Sequence, residues 1–145
     1  MLNMQGKKCH NINLVSPSHI VPQITEAILI AAQNGLNIPI VYNTNGYDLT
    51  DTLRLLDGIV DVFMPDIKFF DDNIAEKYLD VKNYYKIAKA AAKEISIDTY
   101  VNLMAQYYPV HKSFEFAELP RRISRQEYQY AITCAKSVGL KIIKG

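Results

Sequence analysis

Polar residues follow three hydrophobic runs of the sequence, at positions where strands of a parallel sheet would end. In parallel α/β folds the carboxyl ends of the strands and the loops after them build the binding site. A helix N-terminus, an amide-rich turn and an Asp–Lys pair can together bind a polar ligand that carries a carboxylate or phosphate. The candidate binding residues are Ser16, Ser18, His19, Asn43, Thr44, Asn45, Gly46, Asp66 and Lys68.

Each of the three segments also has a purely structural interpretation. Ser18 could simply cap the helix that follows, with His19 packed on its first turn, and the amide-rich segment could be a plain Asn-Gly turn. Asp66 and Lys68 could form a local ion pair, worth about 0–1 kcal/mol if exposed. Each motif alone is weak, but three of them at successive strand ends favour one shared polar site.

Five short hydrophobic runs predict the strands that would position these residues. They are rich in Ile and Val and apolar along much of their length, which is typical of strands covered on both faces. Segments of helical period separate most of them, which favours crossover connections and parallel pairing. The expected fold class is therefore α/β, with strands at 11–15, 38–42, 59–64, 99–104 and 140–143.

Helical signals lie between these runs. The first helix is expected to begin near Ser18, a good N-cap residue, and to end at Asn34–Gly35. A capping box from Ser124 to Glu127 opens the last helix, which should end at Gly139. Shorter helices are expected at 49–58, 71–80 and 83–95, and the irregular stretch 105–122 is long enough to be a functional loop.

Composition narrows the classes of function. A chain of 145 residues has room for one domain, and a net charge of +1 gives no reason to expect nucleic acid or an anionic membrane as partner. Cys9 and Cys134 show no metal spacing and are interpreted as thiols in a reducing compartment. No secretory h-region and no membrane-length apolar window occur, so a cytoplasmic location is expected.

Four segments, taken in order, resemble the radical S-adenosylmethionine family, in the branch similar to pyruvate formate-lyase activating enzyme. They are GKKCHNINLVSPSH, GLNIPIVYNTNGY, LLDGIVDVFMPDIK and DTYVNLMAQYYP. The resemblance implies a partial parallel β/α barrel, an incomplete TIM-like fold of about five strands, with S-adenosylmethionine and a 4Fe–4S cluster at the strand ends. It also implies reductive cleavage to a 5′-deoxyadenosyl radical, which takes hydrogen from a glycyl radical enzyme or a small substrate.

The resemblance assigns roles by position. Asn43 to Gly46 would line S-adenosylmethionine, Asp66 and Lys68 would address its carboxylate or a cation, and Ser16 to His19 occupies the place of a Gly-Gly-Glu segment. A monovalent cation would be held at Asn43, Thr44, Met64 and Asp66, although Asn43 stands where the family commonly has Asp. Asn102, Gln106 and Tyr107 are expected on the substrate side only because they lie at the end of a predicted strand.

The chain departs from the family in two places. The C-x-x-x-C-x-x-C loop that holds the cluster is absent, and neither cysteine can replace it, because three thiolates are needed. A strand–helix unit is also missing near 94–96, so residues 1–145 would form a single domain, the C-terminal part of the barrel. Two interpretations stay open. One is an enzyme fragment, inactive alone, produced by gene decay, by a misassigned start or by division into two polypeptides, and in the last case a partner polypeptide carries the cysteine loop. The other is a non-catalytic nucleoside-binding or protein-interaction module.

Overall fold

The computed structural model describes residues 1–95, 100–137 and 141–143. The chain divides into two compact units, Met1–Ile97 and Asp98–Gly145. A three-stranded parallel sheet forms the centre of the first unit, and a two-stranded parallel sheet lies in the second. The α/β class and the parallel pairing predicted from the sequence are therefore confirmed.

The first unit alternates strands and helices. Its strands are arranged in the order β1-β2-β3, and all are parallel. A 3₁₀ helix, Pro17–Ile20, leads directly into the second α-helix. The elements are α1 (Leu2–Gly6), β1 (Ile12–Val15), α2 (Val21–Gln33), β2 (Ile40–Thr44), α3 (Thr50–Leu55), β3 (Val62–Pro65), α4 (Asp72–Leu79) and α5 (Tyr84–Ile95).

One face of the three-stranded sheet carries the hydrophobic core. Alternate residues of a strand point to opposite faces, and the register places Leu14, Tyr42 and Phe63 side by side in one row. Tyr42 is completely buried in this core, where its ring contacts that of Phe63 at 5.7 Å between centroids. Helices α2, α3 and α5 supply the covering side chains, which include Val21, Ile24, Ile28, Leu53 and Ala91.

The other face of this sheet is open among the described residues. Its rows across the strands are Asn13–Val41–Val62 and Val15–Asn43–Met64. Val15 is 68% exposed, Val62 44% and Met64 49%, whereas Val41 on the central strand is 7% exposed, so the face is open along its two outer strands. Parallel sheets are normally covered on both faces, so an uncovered face is unusual for an α/β fold.

The second unit is smaller. It contains β4 (Tyr100–Asn102), a 3₁₀ helix (His111–Glu115), α6 (Arg125–Ser137) and β5 (Lys141–Ile143). The predicted capping box of α6 is confirmed, since Glu127 N–H donates to Ser124 Oγ at 3.2 Å and Ser124 N–H donates to Glu127 Oε2 at 2.8 Å.

The prediction of a partial barrel of about five strands is wrong. The described residues contain five strands, but these form two sheets, because β4 pairs with β5 and the other three strands pair among themselves. The position near 94–96, where a strand–helix unit was expected to be missing, lies at the end of α5, and Ser96 is outside the described residues. The predicted helix end at Gly139 is also outside the described residues.

Within the part of the chain that the structure describes, no helix is both long enough and apolar enough to cross a membrane.

Candidate functional site

The three predicted polar segments of the first unit lie next to one another. Ser16 N–H donates to the Asn43 carbonyl at 2.7 Å, and Asp66 N–H donates to the Thr44 carbonyl at 2.8 Å. These bonds extend the strand ladders by one step beyond the ends of β1 and β3. The carboxyl edge of the sheet therefore brings together the loops after β1, β2 and β3, which we call the carboxyl-edge loops (residues 16–20, 45–49 and 66–70).

A buried carboxylate ties two of these loops together. Asp48 is only 3% exposed. Its Oδ1 accepts hydrogen bonds from Ser18 Oγ at 2.6 Å and Tyr42 Oη at 2.9 Å, and its Oδ2 accepts one from Thr44 Oγ1. Three neutral hydroxyls thus solvate a charge that would otherwise be costly to bury.

A buried tyrosine joins the loops after β2 and β3. Tyr84, at the start of α5, accepts a hydrogen bond from Lys68 N–H at 2.9 Å. Its hydroxyl proton is shared between the carbonyl oxygens of Asn45 at 2.8 Å and Asp66 at 3.1 Å. One phenol therefore satisfies three backbone groups of two loops.

Gly46 is required by its surroundings. Its φ of +79° lies in the left-handed region, and a Cβ built there would stand 3.0 Å from the Asp66 carbonyl oxygen. The turn around it is also stabilised locally, because Tyr47 N–H donates to Asn45 Oδ1 at 3.0 Å and Gly46 N–H donates to Thr44 Oγ1 at 3.3 Å. Only glycine fits this position without moving the neighbouring loop.

Several predicted residues remain accessible at this edge. Lys68 Nζ lies 2.6 Å from Asp66 Oδ2, and both side chains are about half exposed. Ser16, His19 and Asn45 are exposed, and Asn43 is half-buried on the open face of the sheet. The accessible groups therefore include a carboxylate, an ammonium and amides.

Two of the side chains predicted to hold a monovalent cation, those of Asn43 and Thr44, point to opposite faces of the sheet. Thr44 directs its hydroxyl to Asp48 and its carbonyl to Asp66 N–H. Asn43 and Met64 share a row on the open face, opposite to the face of Thr44. A cation here would have to be bound without the Thr44 hydroxyl.

Asn102, Gln106 and Tyr107, predicted for the substrate side, belong to the second unit. Asn102 ends β4, and Gln106 and Tyr107 lie in the irregular segment after it. All three are exposed, and Tyr107 donates its hydroxyl to the Leu119 carbonyl at 3.0 Å.

Burial alters the acidity of the two tyrosines of the network. Burial away from water raises the pKa of the Tyr42 hydroxyl to about 12, and the negative charge of Asp48 adds to that increase. Burial also raises the pKa of Tyr84. Both phenols are therefore neutral hydrogen-bonding groups at physiological pH.

The residues do not fit the iron–sulfur cluster that the resemblance implies. Cys9 and Cys134 are free thiols that lie in different units, and the described residues contain no group of three His, Cys, Asp or Glu side chains that could hold a metal ion. A site-differentiated 4Fe–4S cluster needs three thiolates, and the sequence has two cysteines in all.

Sequence reasoning did not identify Asp48 or Tyr84 as parts of the site. Asp48 lies 30 residues from Ser18 along the chain, and Tyr84 lies 39 residues from Asn45. Neither stands in a recognisable spacing, although an Asp placed four residues after the Thr that ends β2 could have suggested a local acceptor.

Comparison with known proteins gives one informative match. The chain is 27% identical to an uncharacterized protein of Methanocaldococcus jannaschii, over 92% of this chain and 48% of that protein. The chain therefore spans about half the length of this curated relative. No protein-family model matches the chain, and no solved structure matches it.

Proposed function

We propose that the carboxyl-edge loops of the first unit bind S-adenosylmethionine, as the resemblance to radical S-adenosylmethionine proteins implies. The observation that carries this proposal is the convergence of the loops after β1, β2 and β3 at one edge, where Ser16 N–H and Asp66 N–H both donate to carbonyls at the end of β2, at 2.7 and 2.8 Å. The resemblance names the same segments, and they meet at one edge.

The chemistry of the edge suits the amino-acid end of this ligand. Lys68 offers an ammonium to the ligand carboxylate, and Asp66 offers a carboxylate to the ligand ammonium. The two side chains are already paired at 2.6 Å, so a zwitterionic group can exchange partners with them without leaving a charge unpaired.

The open face of the sheet suits the adenosine end. Val15, Asn43 and Met64 form the row nearest to the carboxyl edge. The exposed Val15 and Met64 side chains supply apolar surface for an adenine ring, and the amide of Asn43 between them supplies a donor and an acceptor.

Radical chemistry by this chain alone is not part of the proposal, because neither of its two cysteines can replace the loop that holds the cluster. In the enzyme-fragment interpretation, a partner polypeptide supplies the cysteine loop, and a glycyl radical enzyme or small molecule is the substrate. In the alternative, the chain is a nucleoside-binding or protein-interaction module, which the uncovered sheet face favours. The cytoplasm is the proposed compartment, since both cysteines are free thiols.

Calorimetric titration of the purified chain with S-adenosylmethionine tests the proposal. We expect saturable binding that Asp66→Ala weakens about tenfold, the loss typical of one charge-assisted hydrogen bond. Asp51→Ala is the matched control, because Asp51 also forms an exposed local ion pair, with Arg54 at 2.9 Å, but lies on α3.

A second ligand makes the test specific. 5′-Methylthioadenosine lacks the amino-acid group, so its affinity should not change in Asp66→Ala. Absence of binding by a folded chain, or equal losses in the Asp66 and Asp51 variants, would contradict the proposed site.

A further inference from the structure

Tyr84 has no part in the roles that the resemblance assigns, yet it contacts two of the loops that would hold the ligand. The residue is 2% exposed and begins α5. Its hydroxyl bonds to the Asn45 carbonyl, the Asp66 carbonyl and Lys68 N–H at 2.8, 3.1 and 2.9 Å. A core tyrosine needs one partner for its hydroxyl, so three backbone partners indicate a further role.

The start of α5 fits the loop after β2 through further contacts. The Tyr47 ring stacks on the Tyr84 ring, with centroids 6.0 Å apart and planes 7° from parallel. Tyr47 donates its hydroxyl to the Lys82 carbonyl at 3.1 Å. A Cβ on Gly46 would lie 3.6 Å from Ala88 Cβ, so the backbone of the loop sits directly against the helix.

We infer that Tyr84 is a positioning residue, whose hydroxyl fixes the loop carrying Asn45 against the loop carrying Asp66 and Lys68. The ligand does not touch Tyr84. Its effect arises because one hydroxyl holds the loop that carries Asp66 and Lys68 in a fixed position relative to the Asn45 loop, and preorganised groups bind with a smaller loss of entropy. The inference rests on the proposed function for its ligand, but the arrangement of the loops can be tested without one.

The test compares Tyr84→Phe with Tyr85→Phe. The first change removes only the bridging hydroxyl. Tyr85 is the adjacent residue of the same helix, and its substitution by Phe removes the same hydroxyl group as the substitution of Tyr84. The Tyr85 ring contacts that of Phe70 at 5.7 Å between centroids. Two measurements are made on each full-length variant, namely S-adenosylmethionine affinity by calorimetry and amide hydrogen exchange in the absence of ligand.

In Tyr84→Phe the Lys68 amide should exchange about fivefold faster, because its acceptor is lost. The Tyr42 amide, within the central strand, should be unchanged. The affinity of this variant for S-adenosylmethionine should be lower by about fivefold or more. Tyr85→Phe should behave as the unmodified chain in both measurements.

Three results would overturn the inference. The first is an unchanged exchange rate of the Lys68 amide. The second is faster exchange throughout β2 as well as at Lys68, which would indicate general destabilisation. The third is unchanged ligand affinity in a variant whose Lys68 amide exchanges faster. If the unmodified chain binds no S-adenosylmethionine, the proposed function fails, while the exchange of Lys68 still decides whether Tyr84 holds the loops.

Discussion

The two units contain the same kind of sheet but differ in how much they bury. Both sheets are parallel, and each strand pair is formed by three or four residue pairs. The buried hydrophobic residues of the first unit come from two strands, four helices and two loop residues, whereas Ala135 is the one such residue among the described residues of the second. The two units therefore have the same type of strand pairing but differ in how many hydrophobic side chains they bury.

This difference bears on where a binding site can be precise. A two-stranded sheet is marginally stable without further packing, whereas the first unit fixes its carboxyl-edge loops to a core through Asp48 and Tyr84. Sites on rigid elements hold their geometry better. The comparison therefore favours the first unit as the location of the ligand-binding groups, and leaves Asn102, Gln106 and Tyr107 on a less firmly packed surface.

The largest effect is expected from a substitution in the first core. Leu56 is fully buried, and Leu56→Ala should lower the free energy of unfolding by about 2–5 kcal/mol. Leu103→Ala, the same change at a half-buried position after β4, should cost less than about 2 kcal/mol. Urea unfolding of both variants measures the difference. Equal costs would show that the two units are equally well packed.

Asp48→Ala should give the next largest effect. The substitution leaves the hydroxyls of Ser18, Tyr42 and Thr44 without their acceptor, and we expect a loss of about 2–3 kcal/mol in urea unfolding. Asp51→Ala removes an exposed carboxylate and should cost less than about 1 kcal/mol. A negligible effect at Asp48 would mean that the hydroxyl network does not hold the carboxyl edge.

The pH dependence of stability tests the same hydrogen-bond network through the ionisation of the Tyr42 hydroxyl. Its pKa is raised to about 12 in the folded chain by burial and is about 10 when unfolded. The folded state thus keeps a proton that the unfolded state loses, so the contribution is complete below pH 10 and declines between about pH 10 and 12. Thermal unfolding of Tyr42→Phe should show a shallower decline over that interval than the unmodified chain. Parallel curves would contradict this assignment.

The smallest effect is expected at the capping box of α6. Ser124→Ala should destabilise the first turn of the helix by about 1 kcal/mol, because Glu127 N–H loses its acceptor. Amide exchange at Glu127 should become faster, with no change in β1, β2 or β3. Faster exchange in the first unit as well would show that the two units unfold together rather than separately.

Local sequence patterns predicted most elements but misplaced some boundaries. The Ile- and Val-rich run at 38–42 predicted β2, which the structure shows at Ile40–Thr44. Asn43 and Thr44 were interpreted as the start of a turn because they are polar, yet both belong to the strand. Thr44 can be buried because Asp48 accepts a hydrogen bond from its hydroxyl, a compensation that the polarity of Thr44 alone does not reveal.

The wrong barrel prediction came from the family resemblance, and the local patterns could not correct it. The hydrophobic runs predict strands, and the intervening helical segments predict parallel pairing. Neither determines which strands pair when they are far apart in sequence. Tyr100 pairs with Lys141, and a local sequence pattern carries no information about which distant strand becomes the pairing partner. The same limit applies to the contacts of Asp48 with Ser18 and of Tyr84 with Asn45, which join residues 30 and 39 positions apart.

The most direct test of the account is amide hydrogen exchange of the full chain with and without S-adenosylmethionine. The account predicts ligand-induced slowing at residues 43–47 and 66–68, on a first-unit sheet that already exchanges slowly, with no slowing at residues 102–107. No change at the carboxyl-edge loops, or slowing confined to the second unit, would contradict the claim that the well-packed unit carries the site.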